Sequence, residues 1–258
     1  MDQIQLRIET PAPHDFEAPI QTIINAAIQS TNPSPAKDAA LTLDAVYLDY
    51  ITSPNKDPES VLTLFWELIN SFASQIPYES PAQEKLVNIV QELADITAEQ
   101  TILNQKLWRN LPYFSSEFPQ TWEGTLFFYY CPTMVNADDK EKKRRFVNLQ
   151  AYAARILGLG LSSLETYAIW ALSDVAEGVM IPVRAIGGTQ GGPLWMLPKA
   201  ERRKLRRKFR GTQGLCLDRW LLWKQQFAAI RDCGSVDTET RRIAKNVVET
   251  MDRVDGHS

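Results

Sequence analysis

Eight side chains in the second half of the chain have the types and spacing to do chemistry together. Asn148, Tyr152 and Arg155 recur at intervals of four and three, and Tyr167, Trp170 and Asp174 at intervals of three and four. On a helix, each set shares one face. Trp220 and Trp223 add two more rings, flanked by Asp218 and Arg219. An aromatic wall with a few convergent polar groups is the usual way to hold a small organic molecule. Such a pocket needs no cofactor. Asn148 and Arg155 would polarise a carbonyl, Asp174 would orient Arg155, and Tyr152, Tyr167, Trp170, Trp220 and Trp223 would form walls that select a reactive conformer. The same residues also have a plain reading: large aromatics fill a core, and Arg155 and Asp174 form a structural ion pair.

Other chemistries find little support. The chain has two histidines, His14 and His257, both expected in terminal segments. This argues against a Ser-His-Asp triad, a Cys-His pair and an H-E-x-x-H zinc site. Cys131, Cys216 and Cys233 are odd in number and lack C-x-x-C spacing, so they read as reduced, partly buried thiols. The glycines at 187, 188, 191 and 192 form neither G-x-G-x-x-G nor a P-loop. Asp95 and Glu99 place two carboxylates one helical turn apart, but no D-D-x-x-D run and no Glu-x-x-His pair accompanies them. Solvated helix charges are the reading preferred over a metal site.

The 258 residues carry a net charge of −3 and are 44% hydrophobic, a composition that supports a sizeable core. Charge is uneven: residues 1–135 hold 6 Lys/Arg against 17 Asp/Glu, and residues 136–258 hold 22 against 14. A basic run extends from Lys199 through Arg202, Arg203, Lys204, Arg206, Arg207 and Lys208 to Arg210, with Glu201 its one acid. No aromatic interleaving suits it to stacking on single strands, and no DNA-binding motif frames it. The run therefore reads as a solvated or intramolecular surface in preference to a nucleic-acid site. No stretch approaches the length of a membrane span and no secretory signal is visible, so a cytoplasmic place is expected, with the nucleus as alternative.

The elements that must position these groups are helices. Residues 1–15 read as a flexible tail. Helices are expected over about 16–30 and 36–52, the latter with Leu41, Ala45, Leu48 and Ile51 inward. Asp57-Pro58-Glu59 starts a third, with the stripe Val61, Phe65, Leu68, Phe72 and Ile76. Ser80 and Gln83 form a capping box for a fourth, running toward Leu107. An irregular aromatic stretch follows, from Trp108 to Trp122. Residues 138–160 form a long helix with Phe146, Leu149, Ala153 and Ile156 inward, and Ser162 with Glu165 opens the next. Residues 183–214 read as a flexible Gly-rich and basic insertion, in which Gly188-Thr189-Gln190-Gly191 recurs as Gly211-Thr212-Gln213-Gly214. Helices over about 215–231 and 237–254 close the chain, the last with Ile243, Val247, Met251 and Val254 inward. No alternating strand stands out. The expectation is an all-α, single-domain, irregular helical bundle over 16–258.

Several anchored segments carry a family likeness. They are Trp108-x-x-Leu111-Pro112, Trp122, Phe146-x-Asn148-x-x-Ala151-x-x-Ala154-Arg155, Tyr167-Ala168-Ile169-Trp170-Ala171-Leu172, Gly192-Pro193-Leu194-Trp195 and Arg219-Trp220-x-x-Trp223-Lys224-x-x-Phe227. In this order the chain resembles a family of helical proteins of filamentous fungi catalogued as a domain of unknown function. The resemblance implies an all-helical fold and no established catalytic residue; it also hints at natural-product chemistry. Joined to the aromatic constellation, it suggests a cofactor-independent cyclase, isomerase or pericyclase acting on an apolar polyketide- or terpenoid-like molecule. The alternative is a non-catalytic interaction or regulatory protein that uses the basic 199–210 segment. A third reading is a structural protein whose motifs are only core.

Overall fold

The structure is a computed structural model. It describes residues 4–32, 34–54, 56–97, 101–102, 105–109, 111–118, 138–165, 167–169, 172, 216–236 and 238–256. The expected Gly-rich and basic insertion lies outside these residues. Where the sequence suggests one helical domain, the chain divides into two compact units, Met1–Leu164 and Glu165–Ser258, and each is described by itself.

The N-terminal unit is built from α1 (Glu17–Gln29), α2 (Pro35–Ile51), α3 (Pro58–Gln75), α4 (Pro81–Asp95) and α5 (Asp138–Gly158). Proline opens α2, α3 and α4, where its missing N–H costs nothing. Asp57 caps α3 by accepting from the Ser60 amide at 3.1 Å, and Ser80 caps α4 through the Ala82 amide at 3.2 Å. The capping box expected of Ser80 and Gln83 does not close. Gln83 turns inward instead, and its Nε2 donates to the carbonyls of Ala73 and Ile76, both at 2.9 Å. Gly160 ends α5 at φ +67°, with its amide on the Leu157 carbonyl and the Leu161 amide on that of Ile156. This is the left-handed turn that glycine enters without steric cost.

Helix α3 is the axis of this unit. Val61, Phe65, Leu68, Phe72 and Ile76 are all buried, as their spacing predicts. Helix α5 packs on α3 and α4, and α2 packs on α1 and α4. The inner face of α2 is not the expected one. Ala39, Ala40, Leu43 and Tyr47 are buried, while Leu41 is 50% exposed. Tyr47 sets this rotation: its hydroxyl donates to the Pro58 carbonyl at 2.9 Å and its ring meets Trp108 edge-on at 5.3 Å. Helix α4 stops at Asp95, short of the expected Leu107. The antiparallel pair β1 (Thr101–Ile102) and β2 (Gln105–Lys106) follows, two residues per strand and too small to alter the all-α class.

The aromatic stretch after β2 wedges into the core. Trp108 donates from Nε1 to Asp44 at 2.6 Å, and Trp66 donates from Nε1 to the Pro112 carbonyl at 2.8 Å. The Trp66 ring lies 5.1 Å from Phe114, at the start of a short helix over 114–118. Leu111 and Tyr113, at φ +43° and +65°, flank Pro112 in the left-handed region. That conformation costs a branched or bulky residue about 1–2 kcal/mol. The Trp66 bond and a 2.7 Å bond from the Tyr113 hydroxyl to Glu59 hold it in place. The amino-terminal segment is also docked. Leu6 is fully buried, so residues 4–10 do not form the expected loose tail.

In the C-terminal unit, α6 (Leu217–Asp232) and α7 (Thr238–Asp255) form a hairpin. Its core is Trp223, Phe227, Ala244, Val248 and Met251. The expected inner line of α7 holds at Met251, which is buried, and at Val247, which packs against the core, whereas Ile243 is 44% and Val254 52% exposed. The apolar stripe of α7 is wide, and its Ala244–Val248–Met251 edge is the one that packs with the two α6 rings. No helix among the described residues is long and apolar enough to cross a membrane.

Candidate functional site

Asn148, Tyr152 and Arg155 share one face of α5 as their spacing predicts, and that face is turned onto the α3–α4 junction. Asn148 is fully buried. Its Oδ1 accepts from the Tyr78 amide at 2.9 Å, and its Nδ2 donates to the Ser74 carbonyl at 2.9 Å. Its own carbonyl accepts from Gln83 Nε2 at 3.2 Å. Arg155 donates from Nη1 to Ala151 and from Nη2 to the Tyr78 carbonyl, both at 3.0 Å. Residues 76–80 carry backbone groups that no helix satisfies, and Asn148 and Arg155 satisfy those of Tyr78 from both sides. The side chains expected to polarise a substrate carbonyl thus each donate to carbonyls of the protein itself.

Tyr152 differs from its two neighbours. It is fully buried, its ring centroid lies 6.3 Å from Phe114, and its hydroxyl has no hydrogen-bond partner among the described residues. Burial pushes its phenol well above the ordinary range. Other buried polar atoms share this condition, and two of the residues that carry them, Asn70 and Glu117, were not singled out from the sequence. Among the described residues both ends of the buried Asn70 amide lack partners, as does Oε2 of the buried Glu117. Burial raises the Glu117 carboxyl, and the Glu67 charge raises it further. Asn70 follows Trp66 by one turn, Glu117 follows Phe114 by three residues, and Phe114 packs against both Trp66 and Tyr152. The signal for Asn70 was present: a polar residue sits among Trp66, Ile69, Phe72 and Ala73 inside a buried helical stripe.

The remaining expected wall residues belong to the C-terminal unit. Trp223 is fully buried in the hairpin core, with the Arg219 guanidinium 5.8 Å from its ring centroid. Trp220 donates from Nε1 to Asp255 at 2.9 Å, which ties α6 to the end of α7. Tyr167 is helical and half-buried. Trp170 and Asp174 lie outside the described residues, so the expected Arg155–Asp174 pair does too. Cys216 and Cys233 flank α6, unbridged and half-buried. The Ser235 hydroxyl and amide beside Cys233 lower its thiol. Cys131 and Glu99 lie outside the described residues. Among the described residues no three His, Cys, Asp or Glu side chains come together as a metal would require.

Comparison with known proteins places the chain in one family. No curated protein and no solved structure matches it. A family model matches residues 66–227, from Trp66 in α3 to Phe227 in α6 and more than half the chain. The chain belongs to the family described as Protein of unknown function (DUF3632).

Proposed function

We propose that this chain is a non-catalytic helical interaction protein whose basic segment, 199–210, engages an acidic partner. One observation carries the reading. The positive excess of the second half is concentrated in that run, which holds eight Lys/Arg and one Glu, whereas residues 216–258 hold seven Lys/Arg and seven Asp/Glu. Within the α6–α7 hairpin the cations meet local carboxylates: Lys224 meets Asp252 and Asp255, Arg231 meets Asp232, Arg242 meets Glu239, and Lys245 meets Glu249. A dense run of one sign steers and holds a partner of the other. The bonds of Asn148 and Arg155 to backbone carbonyls give these two side chains a structural role that needs no substrate, which supports the same reading. The test is fluorescence anisotropy with labelled poly-glutamate and, separately, a duplex DNA. Salt-sensitive binding of the poly-glutamate, lost on deletion of 196–213 with circular dichroism unchanged, is the expected result. Equal binding by the deleted chain overturns it, and binding of the DNA alone would make the partner a nucleic acid.

A second reading, a cofactor-free cyclase or isomerase acting on an apolar polyketide- or terpenoid-like molecule, is favoured by the buried Tyr152 hydroxyl, Asn70 amide and Glu117 Oε2 that lack partners among the described residues. Buried polar groups without partners are costly, and enzymes keep such groups for use. Native mass spectrometry against a fungal metabolite extract tests it. A bound organic molecule, lost in Tyr152→Phe, would support this reading. A ligand-free spectrum across several extracts would remove it.

A further inference from the structure

Residues 4–9 are held in an unusual way. The Ile4 carbonyl accepts from Gln29 Nε2 at 2.9 Å. The Leu6 amide donates to Asn25 Oδ1 at 3.0 Å, and the Leu6 carbonyl accepts from Gln21 Nε2 at 2.7 Å. Gln75 reads both backbone groups of Arg7, accepting from its amide and donating to its carbonyl, each at 2.8 Å. Four side-chain amides on α1 and α3 thus bind the main chain of a segment that is neither helix nor strand. Gln29, Asn25 and Gln21 lie one turn apart on α1, so their rises cover about 12 Å while the arm advances only from Ile4 to Leu6. Only an extended backbone, at about 3.3–3.6 Å per residue, approaches that pace. Two contacts read side chains. Leu6 is fully buried, and the Glu9 carboxylate takes a two-pronged bond from Arg145 of α5, with both distances 2.6 Å.

Contacts to the main chain do not depend on which residues supply it, so this arrangement is a general receptor for extended peptide with two selective positions. Beyond Glu9 the surface continues into a cleft of about 360 Å³ along Leu64, Glu67, Leu68 and Ser71 of α3. We propose that α1, α3 and Arg145 form a peptide-binding groove, occupied by the chain's own residues 4–9, that receives from a partner protein an extended segment with leucine and, three positions on, glutamate. The arm is the intramolecular competitor. Its high effective concentration keeps the groove closed to weak ligands, and a partner segment gains entry by displacing it. This site is independent of the basic 199–210 segment and stands whether or not that segment binds.

The experiment uses the full chain. A fluorescein-labelled peptide of residues 1–11 is titrated into wild-type protein and into Leu6→Asp, which expels the arm by placing a charge in the leucine pocket. The peptide should bind Leu6→Asp about tenfold more tightly than wild type, and adding Gln75→Leu should weaken that binding about fivefold or more. A peptide that itself carries Leu6→Asp should not bind. Equal affinity for wild type and Leu6→Asp, or no binding to a Leu6→Asp chain with native circular dichroism, overturns the proposal. If Leu6→Asp fails to fold, hydrogen exchange in the wild type decides. Excess unlabelled peptide should speed exchange of the Leu6 and Arg7 amides, and unchanged rates overturn the groove. Concentration-dependent dimers of the wild type that exchange their arms would assign the groove to a second copy and overturn the partner.

Discussion

The two units hold themselves together by different means. The N-terminal unit joins segments far apart in sequence through its interior: Trp66 to Pro112, Trp108 to Asp44, and Asn148 to Ser74 and Tyr78. The C-terminal hairpin has a core of five residues and is laced by exposed ion pairs between neighbouring turns and helices. Buried, shape-matched contacts are expensive to break, whereas exposed pairs are screened and nearly free. The long-range clamps of the first unit should therefore govern stability, and the ion pairs of the hairpin should contribute little to it.

The largest effect should come from Trp66→Ala. It empties the centre of the aromatic wedge and orphans the Pro112 carbonyl, at a cost of ~3–5 kcal/mol in urea unfolding. A loss near 1 kcal/mol would mean that the wedge is not central. Asn148→Ala should follow at ~2–3 kcal/mol, because the half-buried Tyr78 amide and the buried Ser74 carbonyl both lose a partner. A neutral outcome would return Asn148 to the catalytic reading. Glu117→Gln is a smaller, pH-dependent test. Its folded carboxyl is raised above the unfolded one, so the protonated form contributes stability that is complete below the ordinary carboxylate range and is lost as pH rises through the folded value. The variant should accordingly be more stable than wild type at pH 7, and the gap should close on acidification. A gap that is constant with pH would contradict the raised, buried carboxyl. The smallest effect is expected from Asp255→Asn in the hairpin. Its exposed contacts to Lys224 and Trp220 should leave the unfolding midpoint unchanged at physiological salt. A clear drop would erase the contrast between the units.

Much of this fold was legible in the residues. Asp57-Pro58 and Ser80-Pro81 mark helix starts by hydrogen-bond and ring geometry alone, and the α3 stripe follows from a period of 3.6. Faces were harder. The inner edges of α2 and α7 differ from those expected because both stripes are wide, and a local period cannot say which edge meets Tyr47's partner or the α6 rings. Gln83 fits a capping box but serves the core, since a glutamine three residues after serine can reach either way. The docked arm escaped notice because its buried content is the single Leu6 and its partners are amides spread over α1 and α3. At the candidate site, the shared face of Asn148, Tyr152 and Arg155 was readable, but what that face meets was not. Asn148 and Arg155 meet backbone, a target without a signature in residue type. Asn70 and Glu117 stand out only once their burial is known.

The polar face of α5 holds the α3–α4 turn through Asn148 and Arg155. Hydrogen exchange at the Tyr78 amide tests it most directly, because that amide donates to Asn148 Oδ1 at 2.9 Å. It should be protected in the wild type and exchange about tenfold faster or more in Asn148→Ala, in proportion to the lost bond. Rapid exchange in the wild type, or protection unchanged in the variant, would contradict the clamp and free Asn148 for chemistry.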